Sequence, residues 1–214
     1  MFRTYLIAFA LPAAIVFASP LSAQQSSPGA PLTKPADDLQ VATFAAGCFW
    51  CTEADFDKVP GVVETTSGYM GGKTPNPTYK QVSAGGTGHA EVLQLRYDPN
   101  KVTYKMLLDT YWHNVDPLDK DGQFCDRGDQ YRPAIFYHDD EQKKLAEDSK
   151  AALQASGRFR QPVVVEITAA STFTKAEDYH QDYYAKQPIR YRLYRHGCGR
   201  DARLEALWGN AKTQ

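Results

Sequence analysis

The alternation of apolar and polar positions divides the chain into short elements. "VATFAA" (41–46) alternates weakly and predicts a strand. Gly47 breaks it, and "CFWCTEADFDKV" (48–59) predicts a helix stopped by Pro60-Gly61. Thr52, Phe56 and Val59 then share a face by i, i+4, i+7 spacing. "VVETTSGYMGG" (62–72) predicts a strand running into a glycine-rich loop, and 73–86 a loop with a helical turn around "TYKQVSA". "HAEVLQLRYD" (89–98) is the clearest strand, and "TYKMLLDTYWHNV" (103–115) an amphipathic helix. Residues 116–132 are too polar and glycine-broken for regular structure. "PAIFYH" (133–138) predicts a strand with Pro133 at its tolerated start. Residues 139–156 predict a helix with Asp139 or Asp140 as N-cap. A strand is expected at 162–168 and a helix at 174–186, and the tail from Gln187 reads as mostly loop with a turn or two at "DARLEALW".

The resulting order, β-α-β-β-α-β-α-β-α, predicts an α+β fold. It takes the form of a two-layer sandwich with a mixed sheet and a split β-α-β, ferredoxin-like core. The 214 residues suggest one domain with extensions, and 43% hydrophobic residues are enough for a core. The first 23 residues stand apart. Arg3 is followed by the apolar run 6–18 and then by "SPLSA", the layout of a secretory signal peptide with Ala23 before the cleavage site. The run is short for a bilayer span, so no stable membrane insertion is expected after cleavage. Residues 24–40, rich in Ser, Pro, Gly and Gln, read as a disordered linker, leaving 41–214 as the folded domain. A net charge of −1 gives no sign of a nucleic-acid partner.

Export changes how the four cysteines are read, because an oxidising compartment lets disulfides persist. Cys48 follows a glycine at a strand–helix turn. There, free backbone N–H groups and the helix dipole would lower its pKa and make it a nucleophile; the alternative is a buried apolar cysteine. Cys51 lies one turn on and could pair with it, as in thiol–disulfide oxidoreductases of the C-x-x-C type. A zinc site would need a second, closely spaced ligand pair, whereas Cys125 and Cys198 are single and distant in sequence. Glu91, in "GHAEV", reads from spacing alone as a surface strand carboxylate. Among apolar neighbours it would instead carry a raised pKa and could donate a proton. "QFCDRGDQYR" (123–132) packs Cys125, Asp126, Arg127, Asp129, Tyr131 and Arg132 into one loop, which suggests a site or a solvated surface.

"GCFW", "GYMGG" (68–72), "NPTY" (76–79), "GHAEV" (88–92), "DP" (116–117), "DRGDQYR" (126–132) and "YHQDYY" (179–184) occur in one order. In this the chain resembles the peptide methionine sulfoxide reductases of the A type. The resemblance covers residues 41–186 strongly and the tail more loosely. It implies reduction of the S epimer of methionine sulfoxide, protein-bound or free, on an α+β sandwich with a ferredoxin-like core. It implies Cys48 as nucleophile, Phe49 and Trp50 as a pocket for the methyl group, Glu91 as proton donor, and Tyr79, Tyr131 and Asp126 beside it. A sulfenic acid on Cys48 would condense with a second cysteine, and a thioredoxin-like reductant would reset the disulfide, with no cofactor or metal. Two positions depart from the family pattern: Cys51 where Gly is usual, and Cys125 where Asn is usual. Three resolving candidates follow, Cys198, Cys51 and Cys125. Family precedent favours Cys198 on a mobile tail starting near residue 187. The enzyme is expected to be a monomer exported to the bacterial periplasm. The alternative is a periplasmic C-x-x-C thiol–disulfide oxidoreductase.

Overall fold

The computed structural model describes Met1 and residues 38–209. The expected signal peptide and nearly all of the linker lie outside the described residues. Among them, no helix is long and apolar enough to cross a membrane.

Strand β1 (Gln40–Ala46) turns into helix α1 (Phe49–Phe56), followed by β2 (Val62–Met70) and the short α2 (Tyr79–Ser83). Strand β3 (Ala90–Tyr97) leads to α3 (Tyr104–His113), the two-residue strands β4 (Gly122–Gln123) and β5 (Asp126–Arg127), and a 3₁₀ turn at Asp129–Tyr131. Then come β6 (Pro133–Tyr137), α4 (Asp140–Ala155), β7 (Glu166–Ala169), β8 (Thr174–Lys175), α5 (Tyr183–Lys186), α6 (Pro188–Gly197) and α7 (Arg200–Trp208). Thr78, Thr103 and Asp139 cap α2, α3 and α4, each accepting from a backbone N–H three residues on.

Six strands form one mixed sheet in the order β7-β6-β1-β3-β2-β8. The central β6-β1-β3-β2 set is antiparallel throughout, as the split β-α-β core requires, and β7 joins β6 in parallel. Register aligns Phe44 with Leu93 on one side and Ile135 on the other. All three point to the helix layer, where Phe44 stacks on Phe56 and Tyr111 with 5.2 Å between centroids. Replacing so central an aromatic by Ala costs about 3–5 kcal/mol. The opposite face, with Ala45, Met70, Val92 and Phe136, is covered by Ala170 and Phe173.

Four segments differ from the sequence pattern. Residues 116–132, expected to lack regular structure, carry the β4–β5 ribbon and the 3₁₀ turn, with Gly122 at φ +152° allowing close pairing with Asp126. The strand at 162–168 is confined to Glu166–Ala169, because Val163 and Val165 pack into the core while Val164 N–H donates to Pro117 C=O, off the sheet. The helix at 174–186 is reduced to β8, a turn and α5. There the Gln181 amide bonds both backbone groups of Ser67, and Asp182 takes a left-handed φ of 53°. The tail is helical rather than loop. Pro188 suits the first turn of α6, and Tyr191, Leu204 and Leu207 are buried on α6 and α7. In "RYRLYRHG" the charges mask that apolar face.

Candidate active site

Cys48 is the N-cap of α1. Gly47 makes the turn possible with φ +82°, and a Cβ there would lie 2.5 Å from the Cβ of Gln123. Gln123 is buried and clamps the 116–132 loop, its amide bonding the backbone N–H and C=O of Asp116 at 2.8 and 2.9 Å. The loop thus sits directly beside the Gly47–Cys48 turn, and the β4–β5 ribbon brings Asp126 into it.

Glu91 is only 2% exposed, so it is no surface carboxylate. It lies opposite Tyr69 across β2 and β3, beneath the start of α1, and its Oε2 accepts from Phe49 N–H at 3.1 Å. Burial pushes its pKa up to about 8, with the Asp126 charge adding, against the pull of the Phe49 hydrogen bond. Burial likewise pushes Tyr79 up to about 12 and raises Tyr131. The charges of Glu91, Cys48 and Asp126 act on both tyrosines, placing them around the same point. Asp126 is raised by burial and held back by the Tyr194 hydroxyl and by Arg200.

The two free thiols form a buried pair. The expectation of a lowered Cys48 pKa is not met. Burial raises it, with the neighbouring Cys51 and Glu91 adding. The Phe49 N–H, which would stabilise a thiolate at this helix start, is given to Glu91 instead. Cys51 is the thiol whose pKa is lowered, by its hydrogen bond with Cys48 and by Arg200 and Arg195.

Cys125 and Cys198 are 73 residues apart and joined as a disulfide, with Cα atoms 4.8 Å apart. The family-derived preference for Cys198 as partner of Cys48 therefore meets a chain in which Cys198 is bonded elsewhere and Cys51 is adjacent. Cys125 is exposed and Cys198 half-buried, beside an open cavity of about 520 Å³ lined by Asp116, Phe124 and Arg203. From α6, Tyr194 hydrogen-bonds both Asp126 and Cys48 and packs edge-on against Trp50.

Of the two expected pocket aromatics, Phe49 is buried against Tyr69 and Val82, whereas Trp50 keeps exposed surface. Trp50 stacks on Tyr183, 3.8 Å and 8° from parallel, and its Nε1 donates to His180 Nδ1 at 2.9 Å. Glu177 accepts from the Tyr69 hydroxyl and Tyr79 N–H, fixing α2 against β2. Residue patterns missed Glu53, Glu177, His180 and Tyr194. The "YHQDYY" match pointed at His180 without a role, and Tyr194 stands one helical turn before Cys198.

A profile of the peptide methionine sulfoxide reductase family matches residues 40–212. The chain is 54% identical over 172 residues to the peptide methionine sulfoxide reductase MsrA of Listeria monocytogenes serotype 4a, covering 80% of this chain and 97% of the relative. It is 51% identical over 174 residues to that of Bacillus licheniformis, covering 81% and 96%. Among solved structures, reduced Mxr1 of Saccharomyces cerevisiae superposes with a TM-score of 0.68 at 32% identity, covering 73% of this chain and 90% of that one. Methionine sulfoxide reductase A of Corynebacterium diphtheriae gives 0.64 at 34% identity, covering 73% and 77%.

Proposed function

The chain belongs to the peptide methionine sulfoxide reductase family, and from that premise we propose how its residues carry out reduction of methionine S-sulfoxide in oxidised proteins and in free form. The observation that carries the reading is the buried Cys48–Glu91 juxtaposition at the start of α1, with Tyr79 and Tyr131 around it.

A sulfoxide oxygen leaves only if it is protonated. Glu91, holding its proton at neutral pH, supplies it. Tyr79 and Tyr131 stay as hydroxyls and hydrogen-bond to the oxygen. Cys51, the more acidic thiol of the pair, acts as a thiolate and takes the proton of Cys48, whose sulfur attacks the sulfoxide sulfur. An S–S bond forms as the protonated S–O bond breaks; the released hydroxide then adds to the Cys48 sulfur, the S–S bond breaks, methionine departs, and Cys48 is left as a sulfenic acid. The Cys51 thiol then attacks that sulfur, forming a Cys48–Cys51 disulfide and water. Trp50, backed by Phe49, is the apolar wall for the methyl group. Tyr194 withdraws from Cys48 to admit the substrate.

Once formed, the Cys48–Cys51 bond is beneath α6, because Tyr191 and Tyr194 pack over the Cys51 thiol. A protein dithiol of the thioredoxin type meets the exposed Cys125–Cys198 pair first. Thiol–disulfide exchange from Cys198 then resets the inner pair. The charge-then-apolar-then-small order of residues 1–23 supports work in the bacterial periplasm, as repair of oxidised exported proteins.

The test is disulfide mapping after one turnover. Cys48→Ser abolishes reduction of the S-sulfoxide, and the parent yields Cys48–Cys51. A parent that yields Cys48–Cys198 returns the resolving role to the tail. Turnover retained in Cys48→Ser removes the mechanism altogether.

A further inference from the structure

Glu53 is a buried carboxyl that the reaction does not use. It is 1% exposed, and Oε1 has no hydrogen-bond partner among the described residues. Burial pushes its pKa up to about 7, with Asp57 and Asp182 adding. A half-satisfied buried carboxyl is a poor contributor to stability. What it does hold is specific: Oε2 accepts from Asp182 N–H at 2.8 Å.

Asp182 sits at φ +53°, a left-handed conformation uncommon for non-glycine residues though more accessible to Asp, and its N–H is held there by Glu53. On either side of it the chain grips Trp50. Upstream, His180 Nδ1 accepts from the indole N–H. Downstream, Tyr183 lies flat on the indole. Gln181 fastens the same segment to β2 through Ser67, and the Tyr184 hydroxyl donates to Asp57 at 2.8 Å. Trp50 is thereby fixed on one face and at its only polar atom. Glu53 and Trp50 are both on α1, three residues apart, so the helix carrying the indole also carries the anchor of the segment that clasps it.

We propose that Glu53 is a positioning residue for substrate binding: through Asp182 it holds Tyr183 and His180 on Trp50 and so presets the wall that receives the sulfoxide's methyl group. The proposal rests on Trp50 being that wall. A preset wall lowers the ordering cost of binding and leaves the bond-breaking step unchanged.

The test follows the first turnover of the reduced full chain on N-acetyl-methionine-S-sulfoxide as a function of substrate concentration. Glu53→Ala raises the half-saturating concentration about tenfold and leaves the maximal rate within about twofold. Glu53→Gln, whose amide oxygen still accepts from Asp182 N–H, restores the parent value. Trp50 emission, isolated by subtracting the Trp50→Phe spectrum, changes in Glu53→Ala and not in Glu53→Gln. A folded Glu53→Ala with parental half-saturation, or with a loss confined to the maximal rate, overturns the proposal. If Glu53→Ala does not fold, Tyr183→Leu carries the test: it raises half-saturation if the clasp acts on Trp50, and an unchanged value overturns the proposal. Trp50→Phe separates the premise. If it leaves half-saturation unchanged, Trp50 is not the wall, and the emission change alone decides whether Glu53 positions it.

Discussion

At the scale of single residues, the proposed chemistry concentrates on Glu91. Its pKa, about 8 in the fold, sits above the ordinary carboxyl value of 4.5 chiefly through burial. In the proposed reaction the protonated form is the reactive one, so the contribution of Glu91 to the first-turnover rate is expected to be constant below about pH 8 and to fall as pH rises through it. Glu91→Gln lowers that rate by about 10²–10⁴-fold and removes the pH dependence attributable to this group. Rapid-quench measurement across pH checks both. The same shift has a stability consequence. Between 4.5 and about 8 the folded state holds a proton that the unfolded state has released. Glu91 therefore contributes stability that is present below pH 4.5 and lost as pH rises through about 8. Melting curves of parent and Glu91→Gln should diverge toward alkaline pH in favour of the Gln variant.

At the scale of elements, the β1–α1 turn decides where Cys48 points. Gly47→Ala meets both the left-handed φ of 82° and the Gln123 side chain at 2.5 Å. It is expected to cost about 1–3 kcal/mol and to slow the first turnover as well, because relief of the clash moves Cys48 off Glu91. Asp139→Ala is the matching control. It removes the cap of α4, whose Oδ1 accepts from Gln142 N–H at 2.7 Å, far from the site. A loss of about 1 kcal/mol with an unchanged rate is expected. Denaturant titration read beside the rate separates the two cases. Elements with strong local signals, such as β3 and α4, were legible in the sequence. Those at 174–208 were legible only in part: α5 is shortened by side-chain bonds to β2 and α1, α7 showed as a turn or two at "DARLEALW", and α6 buries few apolar residues among many charges.

At the scale of the whole molecule, the tail is held by charge as well as by the disulfide. Arg200 is 1% exposed and donates to Ala46 C=O at 3.0 Å and Asn114 C=O at 2.6 Å, with Asp55 at 3.7 Å and the Phe124 ring beneath it. One guanidinium thus ties α7 to the end of β1, the end of α3, α1 and the site loop. Arg200→Ala leaves Asp55 to Arg195 and Lys58 and strands two carbonyls, a loss of about 3–5 kcal/mol. It also loosens Cys198 from its place beside Asp126. Steady-state turnover with a protein dithiol then falls more than the first turnover, and oxidised inner pair accumulates, a comparison that thiol trapping reads directly.

The motif residues Cys48, Glu91, Tyr79, Asp126 and Tyr131, and the strand–helix order that carries them, were determined by the sequence itself, because apolar periodicity and turn glycines act over a few residues. The burial of Glu91, the burial that raises the Cys48 pKa, the Cys125–Cys198 bond and the clasp on Trp50 were decided only by the tertiary structure. Each depends on groups from distant parts of the chain excluding water from one place. Desolvation and long-range pairing have no local signature. The same Glu91 that alternation leaves at a strand surface keeps its proton near neutral pH only when α1 is laid over it.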